Sequence, residues 1–274
     1  MHRPEHLVAL LSDLQPGLRT PTFNADIFEA RLRQWASAIV RLREIHAAER
    51  DISKLYIACG GDFVEGYPDT RRINLAELDV IPEERRVLDT LGQKRLVQRL
   101  ITEALVYLSG YFKAIEVIGV YGNHGANRSR TASARSNDDL EVYLGVADCN
   151  RNPSISFHIE TDNFWTTFQV FNIRFLLAHG HQVTMWTRTP LYGIINKTVL
   201  WHQVLPAPFD AVLMGHFHNL NRLDAYGTPV YVNGCFGGDS EYEQARGLKA
   251  TLAQWLIGVH PDYGIVWERR ILFS

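Results

Sequence analysis

Short apolar runs alternate with longer amphipathic stretches along the first half of the chain. Residues 7–11, 55–59 and 115–121 are almost wholly apolar, which is typical of strands buried on both faces of a sheet. Apolar side chains recur at helical spacing over 26–50 and again over 85–112, which predicts two helices that face the core. This alternation of strands and helices predicts an α/β fold.

The second half is richer in strand-like segments. Strands are predicted at 154–160, 165–171, 173–178, 211–214 and 229–232 and in two C-terminal runs. One helix is predicted at 191–204, and we expect the strands to form a second sheet packed on the first. No repeat, low-complexity tract or linker interrupts the sequence, so we expect one domain over 1–274, in which a polar insertion at 66–84 could serve as a lid.

Composition excludes several classes of protein. With 46% hydrophobic and 21% charged residues, the chain can bury a large core and is not predominantly disordered. Its formal net charge of −2 provides no global basic field, so contact with nucleic acid or anionic lipid would have to be local. No apolar stretch approaches the roughly 18 residues of a membrane span, and the start lacks the pattern of a secretory signal, which predicts a cytoplasmic protein that does not contact membranes.

Polar side chains follow the predicted strands at the point where each strand ends. Five such motifs occur in chain order: Ser12-Asp13-Leu14-Gln15, Gly61-Asp62-Phe63-Val64-Glu65, Gly122-Asn123-His124-Gly125, Ala178-His179-Gly180 and Gly215-His216-Phe217-His218. Each motif alone has an ordinary explanation, because an Asp after a strand is most often a cap or turn residue and a lone His is more often structural. Together they are more specific, since the carboxyl ends of parallel strands gather at one edge of a sheet.

The order of these motifs resembles the calcineurin-like metallophosphoesterase superfamily, whose usual motifs are D-x-H, G-D-x-x-D/E, G-N-H-D/E, H-G and G-H-x-H. The resemblance covers residues 13–218 and implies a four-layer α/β/β/α fold, a two-sheet β-sandwich flanked by helices. It also implies two divalent metal ions at one sheet edge. The first ion would take Asp13, Gln15, Asp62 and His218, and the second Asp62, Asn123, His179 and His216, so that Asp62 bridges them.

The chemistry of this ligand set agrees with that implication. Carboxylates, amide oxygens and neutral imidazoles suit Mn²⁺, Fe or Zn²⁺, and we expect Mn²⁺. Two cations about 3.5–4 Å apart can clamp a phosphate and lower the pKa of a bound water to about 7. The predicted activity is therefore a dinuclear metal-dependent phosphoester hydrolase, either a phosphodiesterase or a phosphatase. By resemblance, His124 protonates the leaving group or stabilises the transition state, and the alternative is that its ring only shapes the loop.

Two positions depart from the usual motifs. Gln15 stands where the first motif has histidine, so an amide oxygen or a water would replace an imidazole nitrogen and the first ion would be held more weakly. Gly125 stands where the superfamily often has an acidic residue that orients the catalytic histidine. Glu65 and Asp239 are candidates for that orienting role, and the sequence does not choose between them.

The substrate and two alternative functions depend on features outside the motifs. The loop at 125–137 is rich in arginine, and Arg128 and Arg130 could bind the phosphates of a nucleotide or nucleic acid, although a merely solvated basic loop is an equal alternative. One alternative function is a DNA nuclease related to double-strand-break repair nucleases. The other is a catalytically weak scaffold that binds a protein partner, for which Gln15 is the supporting feature.

Overall fold

The computed structural model describes residues 3–48, 50–66, 88–126, 136–184, 190–238 and 249–274. The predicted lid, apart from Gly66, and most of the arginine-rich loop lie outside these residues. The described strands are β1 (Arg3–Leu11), β2 (Arg50–Cys59), β3 (Ala114–Gly119), β4 (Ile155–Ile159), β5 (Trp165–Val170), β6 (Ile173–Ala178), β7 (Ala211–Met214), β8 (Asn221–Ala225), β9 (Thr228–Val232), β10 (Ala253–His260) and β11 (Gly264–Leu272). The described helices are α1 (Ala25–Ala47), α2 (Thr90–Ser109), α3 (Asp138–Cys149) and α4 (Leu191–Val204).

The strands form two sheets. The six-stranded sheet has the order β11-β10-β1-β2-β3-β4, in which β1 to β4 run parallel and β10 runs antiparallel to both of its neighbours. The five-stranded sheet has the order β5-β6-β7-β9-β8, with β6, β7 and β9 parallel at its centre. Each sheet therefore has central parallel strands whose carboxyl ends share one edge.

Three apolar clusters separate four layers. The first cluster lies between the six-stranded sheet and α1, α2 and α3, and it includes Leu7 and Trp35. The second lies between the sheets and joins Val8 to Phe175, and the third packs Trp201 of α4 against the outer face of the five-stranded sheet. Neighbouring residues of β1 thus face different clusters, which explains why its apolar run is continuous. The predicted fold class, a two-sheet sandwich flanked by helices, is confirmed.

The structure corrects several boundaries and assignments. The strands β4, β10 and β11 belong to the first sheet and not to the second. Strand β4 pairs with β3, β10 pairs with β1 although the two are far apart in sequence, and β11 pairs with β10. The second helix begins at Thr90 and not near 85, since Asp89 caps it by accepting a hydrogen bond from the Gly92 N–H. Helix α3 and strand β8 were not predicted.

The helices of the described ranges belong to these outer layers. None of them combines the length and the apolar character that crossing a membrane requires.

Candidate metal centre

The five motifs meet where the parallel strands end. Asp13 follows β1, Asp62 follows β2 and Asn123 follows β3 in the first sheet. His179 follows β6 and His216 follows β7 in the second sheet. Main-chain hydrogen bonds join neighbouring loops, including Asp13 N–H to the Gly61 carbonyl at 3.1 Å and Gly215 N–H to the His179 carbonyl at 2.9 Å. The His216 N–H donates to the Asp13 carboxylate at 3.0 Å and so joins the loops of the two sheets into one polar site.

The backbone of this site is unusual. Seven described residues other than glycine have a positive φ, and five of them are predicted ligands: Asp13 (57°), Gln15 (43°), Asp62 (54°), His216 (72°) and His218 (53°). A non-glycine residue in the left-handed region costs of order 1–3 kcal/mol and persists where the surrounding structure determines it. The concentration of this conformation at five predicted ligands indicates loops shaped to place side chains.

Three polar atoms converge at the centre of the site. His179 Nε2 lies 3.0 Å from Asp62 Oδ2 and 3.1 Å from Asn123 Oδ1. His179 Nδ1 lies 2.7 Å from the Gly60 carbonyl, which can only accept, so Nδ1 carries the proton of the neutral ring. Nε2 then presents a lone pair to two oxygens, and Asp62 Oδ2 makes no hydrogen bond within the described ranges although it is buried. Such a group of acceptors needs a cation or an added proton.

The surrounding charges shift the pKa values of this group. Burial alone would lower the pKa of His179, but the Asp62 carboxylate raises it to about 9. Burial would raise the pKa of Asp62, and the His179 and His124 rings hold it well below its usual range. Burial and the His179 charge lower the pKa of His216 to about 3, so that ring stays neutral, the form in which imidazole binds metals.

The residues of the second predicted ion lie together. One ligand atom each of Asp62, His179 and His216 lies within 4.8 Å of the others, and this is the only such group of three or more His, Cys, Asp or Glu in the part of the chain that the structure describes. Asn123 adds its amide oxygen beside His179. Their donor atoms are compatible with a divalent transition metal.

The residues of the first predicted ion lie next to this group. The Asp13 carboxylate accepts hydrogen bonds from Ser12 Oγ at 2.5 Å and from the His216 N–H at 3.0 Å, and its Oδ1 lies 3.4 Å from His218 Nε2. The main-chain N–H of Gln15 donates to the Asp62 carbonyl at 3.3 Å, and the Gln15 side chain is buried. The loop therefore places Gln15 beside Asp62, while direct ligation by its amide stays a prediction.

Two motif glycines allow the loops to approach each other closely. A Cβ on Gly122 would lie 2.1 Å from Asp62 Oδ1, and a Cβ on Gly215 would lie 2.3 Å from Asp13 Oδ2. These contacts are far shorter than van der Waals distances, so any side chain would displace a predicted ligand. Glycine is required here for space.

His124 is paired with Glu65. The ring Nδ1 lies 3.3 Å from the Glu65 carboxylate Oε2 and 3.2 Å from the Glu65 carbonyl oxygen, and Nε2 lies 3.9 Å from Asp62 Oδ2. Burial would lower the pKa of His124, but the hydrogen bond to Glu65 and the charge of Asp62 raise it to about 10. Of the two candidates for orienting this ring, Glu65 is in contact with it, and Asp239 lies outside the described residues.

The position of Gly125 explains why the acidic partner is elsewhere. A Cβ on Gly125 would lie 2.6 Å from Asn137 Oδ1 and 3.0 Å from the Asp139 main-chain nitrogen. The start of α3 thus fills the space that an acidic side chain would need at this position. Glu65 reaches the ring from another loop instead.

A buried carboxylate that the motifs did not reveal joins two of the site loops. Asp139 Oδ2 accepts hydrogen bonds from the N–H groups of Asp62 and Gly122, both at 2.8 Å. Its Oδ1 accepts from Phe63 at 2.9 Å and Val64 at 3.3 Å. Burial and the neighbouring Asp62 raise the pKa of Asp139 to about 6, against the effect of these donors. The sequence Asn137-Asp138-Asp139 has the composition of a helix start, which could have predicted α3 but not this role.

A network of buried amides holds the other aspartate. Gln254 Oε1 accepts from the Ser12 N–H at 3.0 Å, and Asn233 Nδ2 donates to Ser12 Oγ at 3.1 Å and to Gln254 Oε1. Ser12 Oγ in turn donates to Asp13. A glutamine inside the apolar run of β10 was the signal in the sequence, because a buried amide needs partners.

The remaining residues considered in the sequence lie at or beyond the border of the site. His181, which was left out of the predicted ligand set, has its ring centroid 5.5 Å from that of His179 and 6.3 Å from that of His216. Burial lowers its pKa to about 4. Arg128 and Arg130 lie outside the described residues.

Similar proteins are found among solved structures but not by sequence. No family model and no curated protein matches the sequence. Solved structures similar to this chain include Vacuolar Protein Sorting 29 from Cryptosporidium parvum, with 15% identity and a TM-score of 0.43 over 97% of each chain. An archaeal phosphodiesterase has 13% identity and a TM-score of 0.42, over 96% of this chain and 98% of its own. A Vps29 complexed with Zn²⁺ from Entamoeba histolytica has 13% identity and a TM-score of 0.41, over 98% of this chain and 99% of its own.

The motif order resembles that of calcineurin-like metallophosphoesterases. In the two-sheet sandwich of this chain, the five motifs occupy the carboxyl ends of β1, β2, β3, β6 and β7. The resemblance in sequence and the architecture of the two sheets are thus consistent with each other.

Proposed function

We propose that this protein is a dinuclear metal-dependent phosphoester hydrolase, acting as a phosphodiesterase or a phosphatase. The observation that carries the proposal is that His179 Nε2 lies 3.0 Å from Asp62 Oδ2 and 3.1 Å from Asn123 Oδ1, while the other ring nitrogen is occupied by the Gly60 carbonyl. A divalent cation satisfies all three acceptors at once, and it relieves the buried negative charge of Asp62.

The residues fit the two ions that the motif order implies. The second ion would be held by Asp62, Asn123, His179 and His216, and the first by Asp13, Gln15, Asp62 and His218. The oxygen-rich donor set of the first ion favours Mn²⁺, with Fe or Zn²⁺ as alternatives. When bound, such ions supply a hydroxide near neutral pH and neutralise charge on the phosphoryl oxygens.

The side chains of this chain do the rest of the chemistry. His124 donates the proton on Nε2 to the leaving-group oxygen, since its Nδ1 faces Glu65 and its raised pKa keeps the ring protonated. Glu65 fixes the orientation of the ring, and Asp139 fixes the two loops that carry Asp62 and Asn123. Left-handed backbone at Asp62 and His216 aims their side chains into the same space.

An activity panel tests the proposal. Purified protein with Mn²⁺ is expected to hydrolyse an aryl phosphodiester or phosphomonoester and to lose that activity with a chelator. The panel compares single-stranded DNA, duplex DNA, RNA, cyclic nucleotides and simple monoesters, so that cleavage of DNA would favour the nuclease alternative. Protein that binds two ions and cleaves nothing in the panel would contradict the proposal and favour the scaffold.

The proposed substrate is a nucleotide or nucleic acid whose additional phosphates contact Arg128 and Arg130. Replacing both by alanine is expected to raise KM for a polyphosphate or nucleic-acid substrate by at least ~10-fold, because each Arg can form charge-assisted hydrogen bonds to phosphate. KM for a small aryl ester should change little. Equal effects on both substrates would remove this assignment, and Arg151→Ala, on a distant surface turn, is the control.

A further inference from the structure

Gln93 is a buried amide whose hydrogen-bonding capacity is fully used. It lies near the start of α2 and has 0% of its surface exposed. Its Oε1 accepts from the N–H groups of Glu65 at 2.9 Å and Gly66 at 3.3 Å. Its Nε2 donates to the carbonyls of Gly66 at 3.1 Å and Leu88 at 2.8 Å. An amide oxygen accepts two hydrogen bonds and an amide NH₂ donates two, so every bond is made.

The partners of Gln93 include the residue that contacts His124. The main chain of Glu65 is held by Gln93, and the side chain of Glu65 lies against the His124 ring. Gly66 packs against the same histidine from its main chain, because a Cβ there would lie 2.2 Å from the His124 carbonyl oxygen. A shift of residues 65 and 66 would therefore move both the partner and the backbone of His124.

Gln93 is also enclosed from the side of the first motif. A Cβ on Gly17, two residues after Gln15, would lie 2.3 Å from Gln93 Nε2. The amide is thus packed between the loop that follows β1 and the loop that follows β2. Nothing in this packing allows a side chain of different shape without displacement of one of the two loops.

We infer that Gln93 is a positioning residue for His124: it holds Glu65 in the place where the Glu65 carboxylate orients the ring for proton donation. This inference rests on the proposed hydrolase function. Loss of the amide leaves the N–H groups of Glu65 and Gly66 and the carbonyls of Gly66 and Leu88 without their partner, and such groups move to find water or other partners. Proton donation suffers when the ring moves, whereas the metal ligands keep their own contacts through Asp139.

Leaving-group dependence separates positioning from a general structural role. A proton donor matters most when the leaving group is a poor one, so the test compares an alkyl phosphoester with a p-nitrophenyl ester. Gln93→Met keeps the length of the side chain and removes its hydrogen bonds. It is expected to lower kcat for the alkyl ester by ~10²-fold and for the p-nitrophenyl ester by less than ~10-fold, with KM and bound metal unchanged.

Two further variants complete the design. Gln98→Met, on the same helix, removes an amide that donates to the Glu141 carbonyl away from the site, and it should leave both rates unchanged. Gln93→Glu keeps an acceptor for the Glu65 N–H and should recover part of the alkyl-ester rate. An equal fall in both rates, or loss of metal in Gln93→Met, would overturn the positioning role.

A measurement without turnover keeps the inference separate from the proposed activity. The ¹⁵N resonances of the His124 ring should report a hydrogen-bonded Nδ1–H in the wild type and in Gln98→Met, and its loss in Gln93→Met. If the wild type hydrolyses no phosphoester, the proposed function fails, and the ring spectra still test the link from Gln93 to His124. Unchanged spectra in Gln93→Met would contradict that link.

Discussion

Replacing Asp62 by asparagine is expected to abolish tight metal binding and to lower phosphoesterase activity by ~10³-fold or more, because the ions supply several kcal/mol of transition-state stabilisation. Asp62 is the one carboxylate shared by the two predicted ligand sets, and its buried Oδ2 has no hydrogen-bond partner within the described residues. Metal content measured by mass spectrometry and binding measured by calorimetry check the result. Asp224→Asn, on the exposed edge of β8 where Asp224 accepts a hydrogen bond from the Gly227 N–H, is the matched control.

The same substitution also changes the metal-free protein. Asp62 raises the pKa of His179 to about 9, so the metal-free wild type at neutral pH holds a protonated His179 whose Nε2 lies 3.0 Å from Asp62 Oδ2. Asparagine removes this buried ion pair, although its amide oxygen could still accept the main-chain N–H of His124, which the Asp62 carboxylate accepts at 2.8 Å. At neutral pH the metal-free variant is therefore expected to be less stable than the metal-free wild type, by about 1.5–3 kcal/mol.

Thermal unfolding with and without metal measures this difference. Added Mn²⁺ should raise the melting temperature of the wild type, because an ion that binds only the folded state stabilises it. Added Mn²⁺ should leave the melting temperature of Asp62→Asn unchanged. A variant that still gains stability from Mn²⁺ would contradict the bridging role.

His124→Ala is expected to lower kcat by ~10²- to 10⁴-fold while both ions stay bound, because the ring donates a proton and ligates no metal. The Nδ1 contact with Glu65 at 3.3 Å orients the ring, so Glu65→Gln should show a smaller fall of the same kind. Single-turnover kinetics and metal content measured on the same samples check this result. Loss of metal in His124→Ala would show that the assigned role is wrong.

The pH dependence of kcat also tests whether His124 is the proton donor. A proton donor works only while it is protonated, so kcat should fall as the pH rises through the pKa of His124. Glu65 and Asp62 raise that pKa, and removal of the Glu65 charge lowers it. The alkaline limb of the kcat profile should therefore move to lower pH in Glu65→Gln. An alkaline limb that does not move would show that Glu65 does not influence the pKa of the proton donor.

The sequence predicted those parts of the fold in which local pattern and tertiary structure agree. The apolar runs of β1, β2 and β3 are buried on both faces, and the spans of β6, β7 and α4 agree with the predicted boundaries. Sheet membership could not be predicted in the same way, because an apolar run does not say which neighbour it pairs with. The pairing of β10 with β1 joins the two ends of the chain, and no local signal indicates it.

In the site, too, some residues could be predicted from local sequence and others could not. The motifs predicted the side chains that end at the sheet edge, since each follows a strand directly. The groups that support them come from distant elements: Asp139 from α3, Gln254 from β10 and Gln93 from α2. Their role depends on which backbone groups of other loops face them. A single sequence can suggest that a polar residue in an apolar run, such as Gln254, needs partners, but it does not show which partners these are.

Crystals grown with Mn²⁺ and measured at the manganese absorption edge test the central claim most directly. The account predicts two anomalous peaks, one contacted by Asp62, Asn123, His179 and His216 and the other by Asp13, Gln15, Asp62 and His218. Asp62 should contact both peaks. A structure at saturating Mn²⁺ with no ion between Asp62 Oδ2 and His179 Nε2 would contradict the account.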